Sequence, residues 1–151
     1  MRKIFVITSG LVLLDVVLQF YFAAVGAFTR PQTNHSFALH ATNATVILLL
    51  PLLNTLVAAL AKAGGRTIAL AALPSLLVVV QILLFVIAAL FIPEGAAKDA
   101  DGVPLNSTTG ALVVLGFHAL NGLAILGVSG TVLARARALA AAAVPAQAVA
   151  A

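Results

Sequence analysis

The chain has 151 residues, of which 63% are hydrophobic and only 8% are charged, and its mean hydropathy is +1.20. Soluble domains carry about 25% charged residues, so this composition argues against a soluble enzyme and indicates a protein embedded in a lipid bilayer. The absence of cysteine excludes disulfides and iron–sulfur clusters, and the net charge of +4 is distributed as a topology signal rather than as a nucleic-acid-binding surface.

Four apolar runs follow one another, and each exceeds the roughly 20 residues needed to cross the hydrocarbon core of a bilayer. The first run is far longer than the roughly 7–15-residue core of a signal peptide, so we expect it to remain as a span. Short connections predict an all-α, up-down-up-down four-helix bundle over residues 1–137, followed by an Ala-rich, loosely ordered cytoplasmic tail. The predicted spans and tail cover residues 4–28, 37–61, 67–92, 109–133 and 138–151.

Small polar residues precede the second and fourth runs, where helix N-caps are expected. Ser36 is the expected cap of the second helix, and Ser107, Thr108 or Thr109 is the expected cap of the fourth. These residues satisfy backbone N–H groups that a helix start otherwise leaves without partners.

The basic residues lie mostly at the end of the predicted bundle that also carries both termini. By the positive-inside rule, this distribution predicts a multi-pass protein with both termini in the cytoplasm, and the Lys-poor, Ala-rich composition is typical of a bacterial inner (plasma) membrane protein. Arg30 and Lys98 lie at the other end. The basic residues at the predicted cytoplasmic end are Arg2, Lys3, Lys62, Arg66, Arg135 and Arg137.

Two short phrases occur twice, once in each half of the chain. Val16-Val-Leu-Gln19 resembles Val78-Val-Val-Gln81, and His40-Ala-Thr-Asn43 resembles His118-Ala-Leu-Asn121. The first helix therefore corresponds to the third and the second to the fourth, with both copies running in the same direction. This correspondence predicts two parallel two-helix repeats related by an axis along the membrane normal.

The repeated histidines are the main functional candidates. Each stands three residues before an asparagine, so the pair shares one helical face, and polar residues within spans usually face the bundle interior. In an antiparallel bundle the second and fourth helices lie diagonally, and a haem b between them, with His40 and His118 as axial ligands, is the leading interpretation. Amides nearby are expected to bond to the ligand histidines or to the cofactor, and Gly122 to permit close approach of a porphyrin. These amides are Gln19, Gln81, Asn43 and Asn121.

Two observations keep alternatives open. Histidine and amide side chains also hydrogen-bond between membrane helices without any cofactor. Counting 17 residues from His118 to Arg135 and 22 from His40 to Lys62 gives the histidines a depth difference of about 7 Å, which disfavours a shared iron. A zinc or copper site is a weaker option, because no carboxylate or thiol repeats with the histidines.

Asp15 is the only carboxylate within a predicted span, and Leu77 takes its place in the second half. It is a candidate proton relay, and the alternative is a neutral acid bonded to a neighbouring amide. Pro51 interrupts the second span, and Asn54 is expected to bond to the carbonyl that this proline frees. His35 is expected to lie in an exposed loop.

The phrases Leu18-Gln-Phe-Tyr-Phe22, Phe37-Ala-Leu-His40 and Gly116-Phe-His-Ala-Leu-Asn-Gly122 resemble those of small four-span actinobacterial membrane proteins, a family with no assigned function. More loosely, the plan is similar to four-helix b-type cytochromes that exchange electrons with quinones or superoxide. That resemblance implies a quinone or a larger respiratory complex as partner. Because only two histidines lie in spans, a single haem is expected.

The leading hypothesis is an electron-transfer protein or redox accessory subunit that binds haem b. The main alternative is a non-catalytic structural or assembly subunit of a larger membrane complex. A proton-coupled carrier that uses Asp15 is a third hypothesis, although four spans leave little room for alternating access unless the protein forms a homo-oligomer.

Overall fold

The computed structural model describes residues 1–97 and 107–142, apart from the side chain of Asn34. Within these residues the chain forms four α-helices and no strand, and each helix is long and apolar enough to cross a membrane. The predicted all-α architecture is therefore confirmed, and the chain is a multi-pass membrane protein. The helices are α1 (Arg2–Phe28), α2 (Ala38–Leu60), α3 (Gly65–Ala89) and α4 (Thr109–Ala141).

Each helix packs against its neighbours in the chain, and α4 packs against α1 to close the bundle. Consequently α1 lies diagonally opposite α3, and α2 lies diagonally opposite α4. The α1–α2 connection lies at one end of the bundle, which we call the loop end. The α2–α3 turn and residue 1 lie at the opposite end, which we call the terminal end. This is the predicted up-down-up-down arrangement.

Helix α4 begins at the predicted residue but continues eight residues beyond 133, the predicted end of its span. Alanine and arginine favour helix strongly, so the helix persists after the apolar run has ended. Arg135 and Arg137 are helical, and Arg2 Nη1 donates to the carbonyl of Leu139 over 3.4 Å. The first residues of the predicted tail are therefore helical, whereas residues 143–151, like Lys98 in the α3–α4 connection, lie outside the described residues.

One of the two predicted caps is correct. The backbone N–H of Ala111 donates to Thr108 Oγ1 over 3.2 Å, so Thr108 caps α4. Ser36 does not cap α2. It lies inside a short 3-10 helix, Asn34–Phe37, where it forms a capping box with Thr33. The turn before α2 is thus wound one step earlier than the sequence indicates.

Two apolar clusters hold the bundle together. The terminal cluster surrounds the fully buried ring of Phe5, and its other buried members are Val57, Ala58, Ala61, Ala71, Val132 and Ala136. The middle cluster has one buried residue from each helix: Val16, Ile47, Val78 and Ile125. Because lipid tails are as apolar as leucine, close packing at small residues rather than the hydrophobic effect favours helix association in a bilayer.

Asn54 links α1 to α2 near the terminal cluster. Its Oδ1 accepts hydrogen bonds from Thr8 Oγ1 at 2.6 Å and from Ser9 Oγ at 3.2 Å. The prediction that Asn54 bonds to the carbonyl freed by Pro51 is therefore wrong, because its oxygen faces α1. Ser75 Oγ links the next helix pair by donating to the carbonyl of Leu48 over 2.8 Å.

Gly26 permits the chain to turn tightly at the loop end. A Cβ atom built on Gly26 would lie 2.5 Å from Cδ1 of Phe37 and 2.8 Å from the carbonyl oxygen of Ser36. We expect Gly26→Ala to lower the free energy of unfolding by about 1–3 kcal/mol, because the backbone of the next turn must shift. Gly10→Ala is the matched control, since a Cβ there meets nothing within 4 Å.

Both variants can be compared by SDS unfolding in mixed micelles, monitored by circular dichroism. The control should unfold no earlier than the wild type, because alanine is more favourable than glycine within a helix by about 0.5–1 kcal/mol. Equal stabilities of the two variants would contradict the close approach at Gly26.

Candidate functional site

Two histidine rings meet inside the bundle from diagonally opposite helices. His40 is in the first turn of α2 and His118 is in the third turn of α4, and both are half-buried. Their ring centres are 6.0 Å apart, with the ring planes tilted by 58°. The ring centres therefore cannot differ in depth by more than 6.0 Å, so the offset of about 7 Å estimated from the sequence is wrong for the rings.

The error came from the basic residues used as reference points. Lys62 lies beyond the end of α2, whereas Arg135 lies within α4 and reaches Thr67 Oγ1 near the start of α3. The two basic residues do not mark equivalent positions on their helices, so counting from them misplaced the histidines relative to each other.

Two hydrogen bonds determine the environment of His40. Its Nδ1 lies 3.1 Å from the backbone carbonyl of Gln19, and Gln19 Nε2 donates to the carbonyl of His40 over 2.9 Å. A carbonyl only accepts, so Nδ1 carries the proton in this bond and Nε2 keeps its lone pair. Gln19 Nε2 lies a long 3.4 Å from that nitrogen. Asn43 Nδ2 completes the network by donating to Gln19 Oε1 over 2.9 Å.

The α3–α4 pair makes two of the same bonds. Gln81 Nε2 donates to the carbonyl of His118 over 2.9 Å, as Gln19 does to the carbonyl of His40. Asn121 Nδ2 donates over 2.8 Å to the carbonyl four residues before Gln81, that of Leu77. Asn43 Nδ2 lies 3.4 Å from the corresponding carbonyl, that of Asp15. The four amides predicted at the site thus connect neighbouring helices at the level of the histidines.

The two halves differ in which polar atoms find partners. Asn121 bonds to the backbone and does not reach Gln81 Oε1, whereas Asn43 reaches Gln19 Oε1. Among the described residues, Gln81 Oε1, His118 Nδ1 and Asp15 Oδ2 are buried without any hydrogen-bond partner. Such atoms are rare in folded proteins and usually indicate a bound water, ion or ligand.

Asp15 lies one turn from Gln19 on the inner face of α1, and only 8% of its surface is exposed. It is next to Val16 of the middle cluster and close to Asn43 on α2. The sequence therefore placed this carboxyl correctly in the bundle interior. The buried polar side chains other than Asp15 all make hydrogen bonds within the protein; they are Ser9, Asn54, Ser75 and Ser129.

Aromatic rings border the histidines and were not predicted. The edge of Phe85 packs against His118 with ring centres 4.7 Å apart, and Phe37 lies 6.4 Å from His40. Phe85 stands four residues after Gln81, a spacing that could have placed it on the same face. Gly122 is close to Phe20, because a Cβ there would lie 3.3 Å from Cζ of that ring.

The described residues contain no group of three or more His, Cys, Asp or Glu side chains that could hold a metal ion. Zinc and copper sites need three or four protein ligands, so the two histidines alone suit only a metal that brings ligands of its own. His35, predicted to lie in a loop, is in the short 3-10 helix of the α1–α2 connection and is exposed.

Residues 19–89 match the model of a family of unknown function (DUF6220). The matched region includes Gln19, His40, Asn43 and Gln81, and it ends before α4 and His118 begin to contribute to the site. No curated protein and no solved structure matches the chain. The match therefore relates three of the four helices to other proteins without supplying an activity.

Proposed function

We propose that this protein binds one haem b between His40 and His118 and acts in electron transfer. The observation that carries the proposal is the 6.0 Å separation of the two ring centres. Metal–imidazole bonds are about 2 Å long. A ring nitrogen lies about 1.2 Å from the centre of its ring, given ring bonds near those of the peptide C–N bond. Two imidazoles on opposite sides of one iron therefore have centres about 6 Å apart.

The hydrogen bonds of His40 also suit ligation. Axial histidines usually donate their second ring N–H to a carbonyl or carboxylate, which orients the ring and raises its basicity. The bond from Nδ1 to the carbonyl of Gln19 has this character, and it leaves the Nε2 lone pair for a metal. A porphyrin supplies four nitrogen ligands, so two protein ligands complete the coordination of its iron. When bound, the haem would supply one-electron redox chemistry.

Identical residues at equivalent positions support two parallel repeats, related by the shift that aligns the histidines. The middle cluster consists of two such pairs, Val16 with Val78 and Ile47 with Ile125. In the terminal cluster, Ala58 and Ala136 form a further pair, and both are fully buried. An approximate twofold axis between the repeats would place the two histidines symmetrically about one haem.

The charge distribution supports a plasma-membrane location with the terminal end in the cytoplasm, since most basic residues are at that end. The haem would then lie in the outer half of the membrane, nearer the loop end. A single haem there cannot carry electrons across the whole bilayer. Exchange with a quinone or with a larger respiratory complex in the same leaflet is therefore the role we assign.

The haem content of the purified protein tests this proposal. After expression with added 5-aminolaevulinate, we expect the pyridine haemochrome assay to give about one haem per chain, as two axial histidines allow. The added precursor ensures that a low content does not reflect a shortage of haem in the cells. Folded protein that contains no haem under these conditions would overturn the proposal.

A structural or assembly subunit is the second candidate, and it has a specific observation in its favour. The four amides of this layer already bond to the neighbouring helix without any cofactor. Under this alternative, added haem would leave the unfolding midpoint in SDS unchanged. Under the leading proposal, haem raises the midpoint, because a ligand that binds only the folded state stabilises it.

A further inference from the structure

We propose that Asp15 is a proton-binding site, that buried water molecules hydrate it, and that it exchanges protons only with the loop end of the bundle. The inference does not rest on the proposed haem. It follows from the position of the carboxyl, from the unpaired polar atoms around it, and from the apolar clusters on its other side.

The carboxyl lacks a partner in either protonation state. An ionised carboxylate inside a membrane protein needs donors or a cation, and a protonated one needs an acceptor for its O–H. Asp15 Oδ2 is buried and has neither among the described residues. The titratable groups nearest to this layer are His40 on α2 and His118 on α4, and α3 contributes the uncharged Val78 and Gln81.

The unpaired buried atoms are concentrated around this carboxyl. Asp15 Oδ2, Gln81 Oε1 and His118 Nδ1 all lie in or next to the histidine layer, whereas the buried polar side chains nearer the terminal end are paired. Carboxylate and amide oxygens accept hydrogen bonds, and a buried water typically makes about three such bonds. A few water molecules would satisfy these atoms and give the carboxyl a route for proton exchange.

The surroundings are polar on one side only. Toward the loop end, Asp15 is followed by the half-buried side chains of Gln19, Asn43 and His40. Toward the terminal end, the middle cluster and then the terminal cluster around Phe5 fill the bundle with apolar groups. Packed apolar layers exclude water, so protons reach Asp15 from the loop end and do not pass through.

The second half of the chain provides a variant that should fold. Leu77 stands where the repeat places the counterpart of Asp15, and its backbone carbonyl accepts from Asn121 as that of Asp15 faces Asn43. The fold thus accommodates leucine at this position of the layer. Asp15→Leu removes the carboxyl without requiring a new backbone contact, and Asp15→Asn replaces it with an amide of nearly the same shape.

The test is infrared spectroscopy of the full-length protein in lipid nanodiscs, titrated with acid in H₂O and in D₂O. We expect a carbonyl stretching band of a protonated carboxylic acid that shifts to lower frequency in D₂O. The band should be lost in both Asp15 variants and kept in Glu94→Gln, since Glu94 is exposed in the α3–α4 connection. A spectrum in which neither Asp15 variant alters the band would overturn the assignment of the proton site.

Proton permeability tests the one-sided access. Liposomes that contain the wild-type protein should dissipate a pH gradient no faster than liposomes that contain Asp15→Leu. A leak present in the wild type and abolished in the variant would show a path through the apolar clusters and would contradict the inference. Circular dichroism of each variant establishes that the helices are retained.

Discussion

His118→Ala should reduce the haem that copurifies with the protein at least about tenfold, because second-shell losses alone typically weaken a metal site by about 10–100-fold and this change removes a ligand. His40→Ala should have the same effect, since the two rings face each other across 6.0 Å. The measurement is the ratio of haem to protein after expression with 5-aminolaevulinate. Unfolding in SDS shows whether each variant remains folded.

His35→Ala is the matched control, because this histidine is exposed at the loop end and should leave the haem content unchanged. Gln19→Leu is informative in a different way, because its backbone carbonyl still accepts from His40 Nδ1 while its amide bonds are lost. Haem retained by both His40→Ala and His118→Ala would show that these residues are not the ligands.

Phe5→Ala should lower the free energy of unfolding by about 3–5 kcal/mol, the usual range for removing a buried phenylalanine ring. Phe5 is fully buried at the centre of the terminal cluster, where α1 contacts small residues of the other helices. The truncation leaves a cavity that the surrounding backbone fills only in part. SDS unfolding in mixed micelles measures the loss.

Leu14→Ala on the same helix is the control, because its side chain is 54% exposed and faces lipid. A lipid-facing truncation creates no cavity, so we expect a change of at most about 0.5 kcal/mol. If both variants unfold at the same SDS concentration, the terminal cluster does not stabilise the bundle as the packing indicates.

The placement of the site residues followed from spacing alone. A separation of three residues put His40 and Asn43 on one face, and likewise His118 and Asn121. Their polarity within apolar runs predicted that this face points into the bundle, and the bonds to α1 and α3 agree. Helical periodicity and the cost of placing polar groups in lipid are local properties, so a sequence reports them directly.

Other features depend on how the helices sit against one another. The contact of Phe85 with His118 requires a particular rotation of α3 relative to α4, which composition does not specify. Asn121 bonds to the carbonyl of Leu77 rather than to Gln81 Oε1, and this choice depends on shifts of a few tenths of an ångström. The unpaired atoms near Asp15 could not have been predicted for that reason.

The end of α4 shows a different limit. The apolar run stops near 133, and the predicted span ended there, yet the helix continues to Ala141. Hydropathy reports where the bilayer ends, whereas helix propensity determines where the helix ends. Alanine and arginine after 133 satisfy the second requirement without the first.

The most direct test of a haem between His40 and His118 is the optical spectrum of the purified wild-type protein, recorded as isolated and after reduction with dithionite. Ligation by two imidazoles gives a low-spin iron, so we expect a sharp Soret band and resolved α and β bands on reduction. A folded protein expressed with ample haem precursor whose spectrum shows no Soret band in either state would contradict the proposed function.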